Sequence, residues 1–209
     1  MHQLCDNLHF LKKRSTTKTS DGIKIVTLGG VPDPNAKEGT SQDQYLPTHT
    51  PGDAKALHGA NSADILLTTV WPAGLRRGSK IELPEGAISP VGQDYIADLC
   101  TTLKPRYHFS TSEFFYEREP FFHNPTADAP DAKPLTRFIS IATYGNQEKQ
   151  KALYAFTLQP TVDPLAVLPM GTTASPFISR GLRGAKRQSL DPEPYNRYVY
   201  LYLLLFMRP

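Results

Sequence analysis

Residues 63–72 read ADILLTTVWP. Asp64-Ile65-Leu66-Leu67 is a largely apolar run that empties into Thr68 and Thr69, ahead of Trp71-Pro72. The polar end of a buried strand is where α/β enzymes place catalytic side chains. Two hydroxyls at that spot allow two readings: a working site, or the position of one that has lost its ligands. The histidines His2, His9, His49, His58, His108 and His123 are the other chemistry-bearing set. Binuclear phosphoester hydrolysis needs Asp, His and Asn side chains converging on two metals, which activate water and neutralise the leaving phosphate. The strand ends of this chain offer Gly29-Gly30, Thr68-Thr69 and His108 instead, so His108 alone is of ligand type. Flanked by Tyr107 and Phe109, that histidine also reads as a core side chain of a strand. Gly29-Gly30-Val31-Pro32 is not a phosphate-cradling loop, and no G-x-S-x-G nucleophile elbow occurs. Ser, Thr and His are too plentiful to single out a triad.

Three cationic stretches are candidates for contact. Residues 104–120, KPRYHFSTSEFFYEREP, interleave Lys104, Arg106 and Arg118 with Tyr107, Phe109, Phe114, Phe115 and Tyr116. Aromatic rings stack bases and cations hold phosphates, but Glu113, Glu117 and Glu119 offset the charge. Core packing with a protein interface is the competing reading. Arg76, Arg77 and Lys80 form a small basic patch in a loop, and Arg180, Arg183, Lys186 and Arg187 form a second run without an acidic neighbour. That second run reads as RNA contact, as a nuclear import signal, or as a solvated tail.

The elements that must hold these residues follow from pattern and punctuation. The chain has 209 residues, 39% of them hydrophobic, which suffices for one sizeable core. Its 19 prolines and 14 glycines argue against long helices. A net charge of +3 does not by itself indicate nucleic-acid binding. Cys5 and Cys100 form no zinc spacing and read as reduced thiols of an intracellular protein. MHQLCDNLHFLKKR lacks the apolar core of a signal peptide. The longest apolar run, Tyr198 to Met207, falls short of the roughly 20 residues that a membrane helix needs, so no membrane role is expected.

Residues 4–11 and 23–28 read as two strands around a polar hairpin, KKRSTTKTSDG. Thr50 is placed to cap a short helix through Leu57, with Pro51 at its first position. Residues 63–68 form a central strand, 91–103 a helix stopped by Pro105, and 107–109 a strand. Residues 136–143 and 151–158 are strands expected to form a hairpin or an adjacent pair across the short charged connection containing Gly145-Asn146. Ile65, Leu66, Ile139, Ile141 and Phe156 are expected in one sheet core. The division is a strand-rich α/β domain over 1–160 and a loosely ordered Pro/Gly-rich, basic tail over 161–209.

LKPRYHFSTSEFFYEREPF, followed by TRFISIATYGNQEKQKALYAF, resembles the CwfJ-type splicing factors, and Asp6-Asn7-Leu8 and ADILLTTVWP fit the same likeness. The resemblance covers roughly residues 3–160. It implies a nuclear protein associated with the lariat debranching enzyme. It also implies that 1–160 is the C-terminal part of a calcineurin-like metallophosphoesterase-type sandwich. The first, metal-binding part is then expected upstream of Met1, and a histidine-triad-like module downstream. Active relatives of that superfamily carry a ligand histidine where this chain has Thr68-Thr69, and a Gly-His-x-His motif where it has Phe109-Ser110-Thr111-Ser112. Hydroxyls are poor substitutes for imidazole on a transition metal. Thr68, Thr69 and His108 are therefore expected to mark a degenerate former site with no metal or other cofactor. The expected function is a non-catalytic interaction protein in splicing and intron-lariat turnover, with a divergent metal-dependent phosphodiesterase as the alternative. Spliceosomal proteins or the debranching enzyme are the expected partners, with RNA bound weakly at most. The contacts are assigned to Arg76, Arg77, Lys80, Arg106, Arg118, Arg183, Lys186 and Arg187.

Overall fold

A computed structural model of the chain describes residues 2–6, 8–35, 39, 43, 45–124, 133–160 and 168–177. Strands β1 (His2–Cys5) and β2 (Leu8–Phe10) form a small antiparallel ribbon of their own. The polar segment after it is not the bend of a hairpin but one of its arms. β3 (Arg14–Lys18) pairs antiparallel with β4 (Lys24–Leu28), and the turn lies at residues 19–22. Thr19 Oγ1 accepts the Ile23 N–H at 3.1 Å, and Gly22 takes φ 89°. Charge hides this strand from a hydrophobicity reading, yet Thr16 and Thr17 are β-formers, and an edge strand tolerates Arg and Lys.

After β4, Gly30 adopts φ 84°, and a Cβ there would lie 2.5 Å from Pro47 O, so only glycine fits. The loop it opens is closed by a short parallel pair, β5 (Val31–Pro32) with β6 (Thr48–His49). Helix α1 (Pro51–Leu57) begins as its sequence requires. Thr50 caps Asp53 N–H, Asp53 caps Thr50 N–H, and Pro51 occupies the first turn. β7 (Ile65–Thr68) then runs parallel to β4. Helix α2 (Asp94–Leu103) starts three residues later than the sequence pattern suggests. Gln93 is its extended N-cap, bridged to Pro72, and Val91 stays exposed. It ends on Lys104 at φ 46°, just ahead of Pro105.

The remaining strands are β8 (Tyr107–Ser112), β9 (Tyr116–Glu117), β10 (Phe121–Phe122), β11 (Leu135–Ala142) and β12 (Thr173–Ala174). The main sheet runs β12-β10-β11-β8-β7-β4-β3, with β9 also on β11. Its centre, β4-β7-β8-β11, is parallel, and its edges are mixed. Residues 168–177, placed by sequence in a loose tail, contribute β12, and Phe177 packs edge-on against Phe121 at 5.6 Å.

The connections through α1 and α2 put both helices on one face, where their buried residues share a core, as right-handed crossovers in a parallel sheet require. There Val26, Leu28, Leu66, Trp71, Ile96, Leu99 and Phe138 form the larger core. The opposite face carries Ile25, Ile65, Leu67, Phe109, Ile139 and Ile141. Leu66 therefore packs on the other side of the sheet from Ile65, Ile139, Ile141 and Phe156, which corrects the expectation of one shared core.

Residues 151–159 are not a strand and form no hairpin with β11. Their exposure nevertheless alternates residue by residue, with Tyr154, Phe156 and Leu158 turned onto the second core. Phe156 lies 4.6 Å from the Tyr107 ring and 5.1 Å from that of Phe109. The segment is an extended strap lying on the sheet face, joined to the sheet backbone through Ala142 N–H and Lys151 O at 3.0 Å. Period-two burial arises from one-sided packing and does not require a ladder partner.

Candidate functional site

In a parallel sheet the side chains available for chemistry gather at the C-terminal strand ends. Here those ends bring together Gly29 and Gly30 after β4, Thr68 and Thr69 at β7, Ser112 at β8 and Ala142 at β11. Thr68 Oγ1 donates to Val70 O at 2.8 Å and lies 2.9 Å from His108 Nε2. A hydroxyl has one hydrogen, so His108 Nε2–H is the donor to Thr68 and Nδ1 carries the lone pair. Nδ1 is buried with no hydrogen-bond partner, and the ring packs edge-on against Phe138 at 5.1 Å. Complete burial pushes the His108 pKa down to about 3, so the imidazole is neutral.

The neighbouring hydroxyls are spent in the same way. Thr69 Oγ1 donates to Gly30 O, and Thr111 Oγ1 to Thr69 O at 3.2 Å. Trp71 Nε1–H donates to Ser140 Oγ, Ser140 to Ser112 Oγ, and Ser112 to Phe114 O, at 2.9, 2.9 and 2.5 Å. An activated nucleophile needs a base accepting its proton. His108 instead donates to Thr68, so the pair is not a dyad.

Of the former-site residues named from sequence, Thr68 touches His108 and Thr69 joins the adjacent loop, but His108 is corrected from a strand-end position: it is the second residue of β8, in register with Leu66, and reaches Thr68 only through its side chain. They do not fit a transition metal. His108 is turned inward at 0% exposure, and its neighbours are hydroxyls already bonded. Among the described residues no group of three or more His, Cys, Asp or Glu is placed to hold a metal ion.

Two other buried histidines follow the same logic. His123 Nε2 is 2.8 Å from Thr136 Oγ1, which donates to Pro105 O, so His123 is again the donor. Burial, aided by Lys104, brings its pKa down to about 4. His49 Nδ1–H donates to Gly29 O at 3.0 Å, and Nε2 accepts from the Tyr95 hydroxyl at 2.9 Å. Burial lowers the His49 pKa and raises that of Tyr95. Close by, the fully buried Asp53 carboxylate takes Arg14 Nη1 at 3.1 Å and lies 3.3 Å from Lys13 Nζ, an ionic contact without hydrogen-bond alignment.

The candidate contact residues separate. Arg76, Arg77 and Lys80 are exposed in one turn-rich loop, where Arg77 Nη1 also reaches Pro176 O at 3.1 Å. Arg106 is engaged by Asp64 at 3.3 Å and by Gln159 O at 2.6 Å. Arg118 is corrected from a surface contact to an internal strut. It is 1% exposed and bonds Leu75 O, Arg77 O, Glu119 O and Thr173 Oγ1, which leaves no guanidinium face for a phosphate. Arg183, Lys186 and Arg187 lie outside the described residues.

Sequence reasoning missed the buried Asp53–Lys13 ion pair and the Ser79–Glu119 link. For Asp53 the Thr50-x-x-Asp53 spacing was the available signal. For Glu119 and Ser79, which bond each other at 2.6 Å across 40 positions, there was none.

Fold and site together define an α/β domain with a mixed sheet whose strand-end groups are committed to internal hydrogen bonds. No protein-family model matches the chain. It is 36% identical over 165 residues to CWF19-like protein 1 homolog of Caenorhabditis elegans, covering 76% of this chain and 29% of that protein. It is 33% identical over 199 residues to CWF19-like protein 1 of Mus musculus, covering 88% and 35%. Against zinc finger CCCH domain-containing protein 59 of Oryza sativa subsp. japonica it is 34% identical over 184 residues, covering 85% and 28%. The chain belongs to the CWF19-like (CwfJ) family. It spans about a third of the length of the curated relatives it matches.

Proposed function

We propose that this chain is a non-catalytic interaction module of pre-mRNA splicing that works in the nucleus, in intron-lariat turnover, beside the lariat debranching enzyme. Family membership supports the splicing role. The observation that carries the non-catalytic reading is the Thr68–His108 pair, in which Val70 O takes the hydroxyl hydrogen, Nε2–H is given to Thr68, and the remaining Nδ1 lone pair is buried in the core beside Phe138. The sheet, with a parallel centre and its polar residues at the C-terminal strand ends, also supports reading residues 1–160 as the C-terminal part of a metallophosphoesterase-like domain. In such a domain the former site serves as a stable platform. The exposed Arg76, Arg77 and Lys80, in the long loop that follows β7, are left for recognition.

The test is direct calorimetric titration of purified lariat debranching enzyme into this chain. A saturable complex with Kd on the order of micromolar is expected. It should weaken when Arg76, Arg77 and Lys80 are replaced together by Ala. No heat of binding at concentrations far above that value would remove the debranching enzyme from the account.

A further inference from the structure

Arg76-Arg77-Gly78-Ser79 places two guanidinium groups three and two residues ahead of a serine hydroxyl. Arginine-directed serine/threonine kinases select substrates by that charge pattern. Arg76, Arg77, Gly78 and Lys80 are exposed and Ser79 is half-buried, in a turn closed by Ser79 N–H to Arg76 O at 3.0 Å. Residues 73–92 contain no helix or strand, so local opening of this segment breaks no ladder.

Ser79 pins the C-terminal half of the loop, while Arg118 holds its start through Leu75 O and Arg77 O. Its Oγ donates to Glu119 Oε2 at 2.6 Å, accepts Ile81 N–H at 3.2 Å, and lies 3.1 Å from the Tyr116 hydroxyl. Glu119 holds the loop a second time through Lys80 N–H. Partial burial alone would raise the Glu119 pKa, but the hydrogen bonds from Ser79 and Lys80 outweigh it and hold the carboxyl below its usual range. A charged acceptor therefore sits directly on the serine oxygen.

We propose that Ser79 is a phosphorylation site for an arginine-directed serine/threonine kinase, and that the added phosphate releases the 76–81 loop from Glu119. In the transfer, Ser79 Oγ bonds to the γ-phosphorus of ATP and the bond from that phosphorus to the β–γ bridging oxygen breaks. ADP leaves, and the hydroxyl proton passes to the kinase's catalytic base. The product has no hydrogen left for Glu119 and sets up to about two negative charges against its carboxylate. Lost hydrogen bond and new repulsion act in the same direction. The same phosphate offsets the positive charge of Arg76, Arg77 and Lys80, so a single modification both opens the loop and weakens the basic patch.

The full chain is treated with Mg-ATP and the catalytic subunit of cyclic-AMP-dependent protein kinase. The phosphate is mapped by mass spectrometry, and tryptic cleavage after Arg76 and Arg77 is timed. About one phosphate at Ser79 is expected, and none at position 79 in Ser79→Ala. Cleavage should be about tenfold or more faster in the phosphorylated chain than in either the unmodified chain or Ser79→Ala. Glu119→Gln keeps an acceptor but removes the charge, and should cut the phosphate-induced acceleration to less than about threefold. No phosphate on Ser79, unchanged cleavage after full phosphorylation, equal acceleration in Ser79→Ala, or undiminished acceleration in Glu119→Gln would each overturn the proposal.

Discussion

Thr68 has one hydroxyl hydrogen and Val70 O takes it, so the imidazole of His108 is the donor across their 2.9 Å contact. His123 repeats the arrangement on Thr136. Both rings are neutral in the folded chain and free to charge in the unfolded one, where a histidine titrates near 6.5. Below that value the unfolded state binds more protons, so stability falls as pH falls. The loss begins near the unfolded value and runs down toward the folded values, about 3 for His108 and about 4 for His123. Each histidine contributes a slope of about 1.4 kcal/mol per pH unit, and His49 adds in the same direction. Urea unfolding at about pH 7.5, 6.5 and 5.5 should show this decline, and His108→Phe and His123→Phe should each flatten it by one histidine's share. Equal slopes in all three proteins would contradict the buried, neutral assignment. The sequence made His108 visible as a ligand type, but its direction into the core depends on Phe138, some 30 residues away, which no local pattern records. Arg118 was misread for the same reason. Glu-Arg-Glu looks like surface, and only the carbonyls of the 75–77 turn make it interior.

Helix α1 shows what local chemistry can specify. Thr50, Pro51 and Asp53 are a legible start signal, and the capping box forms as its spacing requires. The second duty of Asp53, as counter-ion to Lys13 and Arg14, was not legible, because those partners lie 39 and 40 positions upstream on and beside an edge strand. Asp53→Ala removes the return half of the capping box, leaving the Thr50 cap, and strands a buried ammonium. It should destabilise the chain by about 3–5 kcal/mol in denaturant melts. Asp53→Asn keeps a capping acceptor and should recover about 1 kcal/mol of that. A loss below about 1 kcal/mol for the Ala variant would mean that the Lys13 charge finds another partner. The strap at 151–159 marks the opposite limit. Alternation of Tyr154, Phe156 and Leu158 correctly signals extended chain with one buried side. Whether that side faces a neighbour in a ladder or simply lies on the sheet is decided by Tyr107 and Phe109, not by the segment itself.

Across the molecule, the parallel centre collects apolar strands that the sequence announced, Ile65–Thr68 and Leu135–Ala142 among them, while its polar edge strand β3 went unannounced. The charge distribution sets what the surface can do. A net +3, with Arg118 internal and Arg106 paired to Asp64, leaves Arg76, Arg77 and Lys80 as an exposed cluster. RNA held by those three cations should show a slope of log K against log salt of about −2, and the triple Ala replacement should bring it toward zero. Filter-binding titrations across a salt series read this directly. Submicromolar affinity that persists at physiological salt, with preference for branched over linear RNA, would require a shaped pocket that this patch does not supply. The proposed function turns on the Thr68–His108 pair being structural and not hydrolysing phosphodiesters. Its most direct test is hydrolysis of bis(p-nitrophenyl) phosphate by the purified chain under saturating Mn²⁺. The account predicts a rate equal to that of the metal ion alone, unchanged by His108→Phe. Multiple-turnover hydrolysis that scales with protein concentration and is lost in His108→Phe would contradict it.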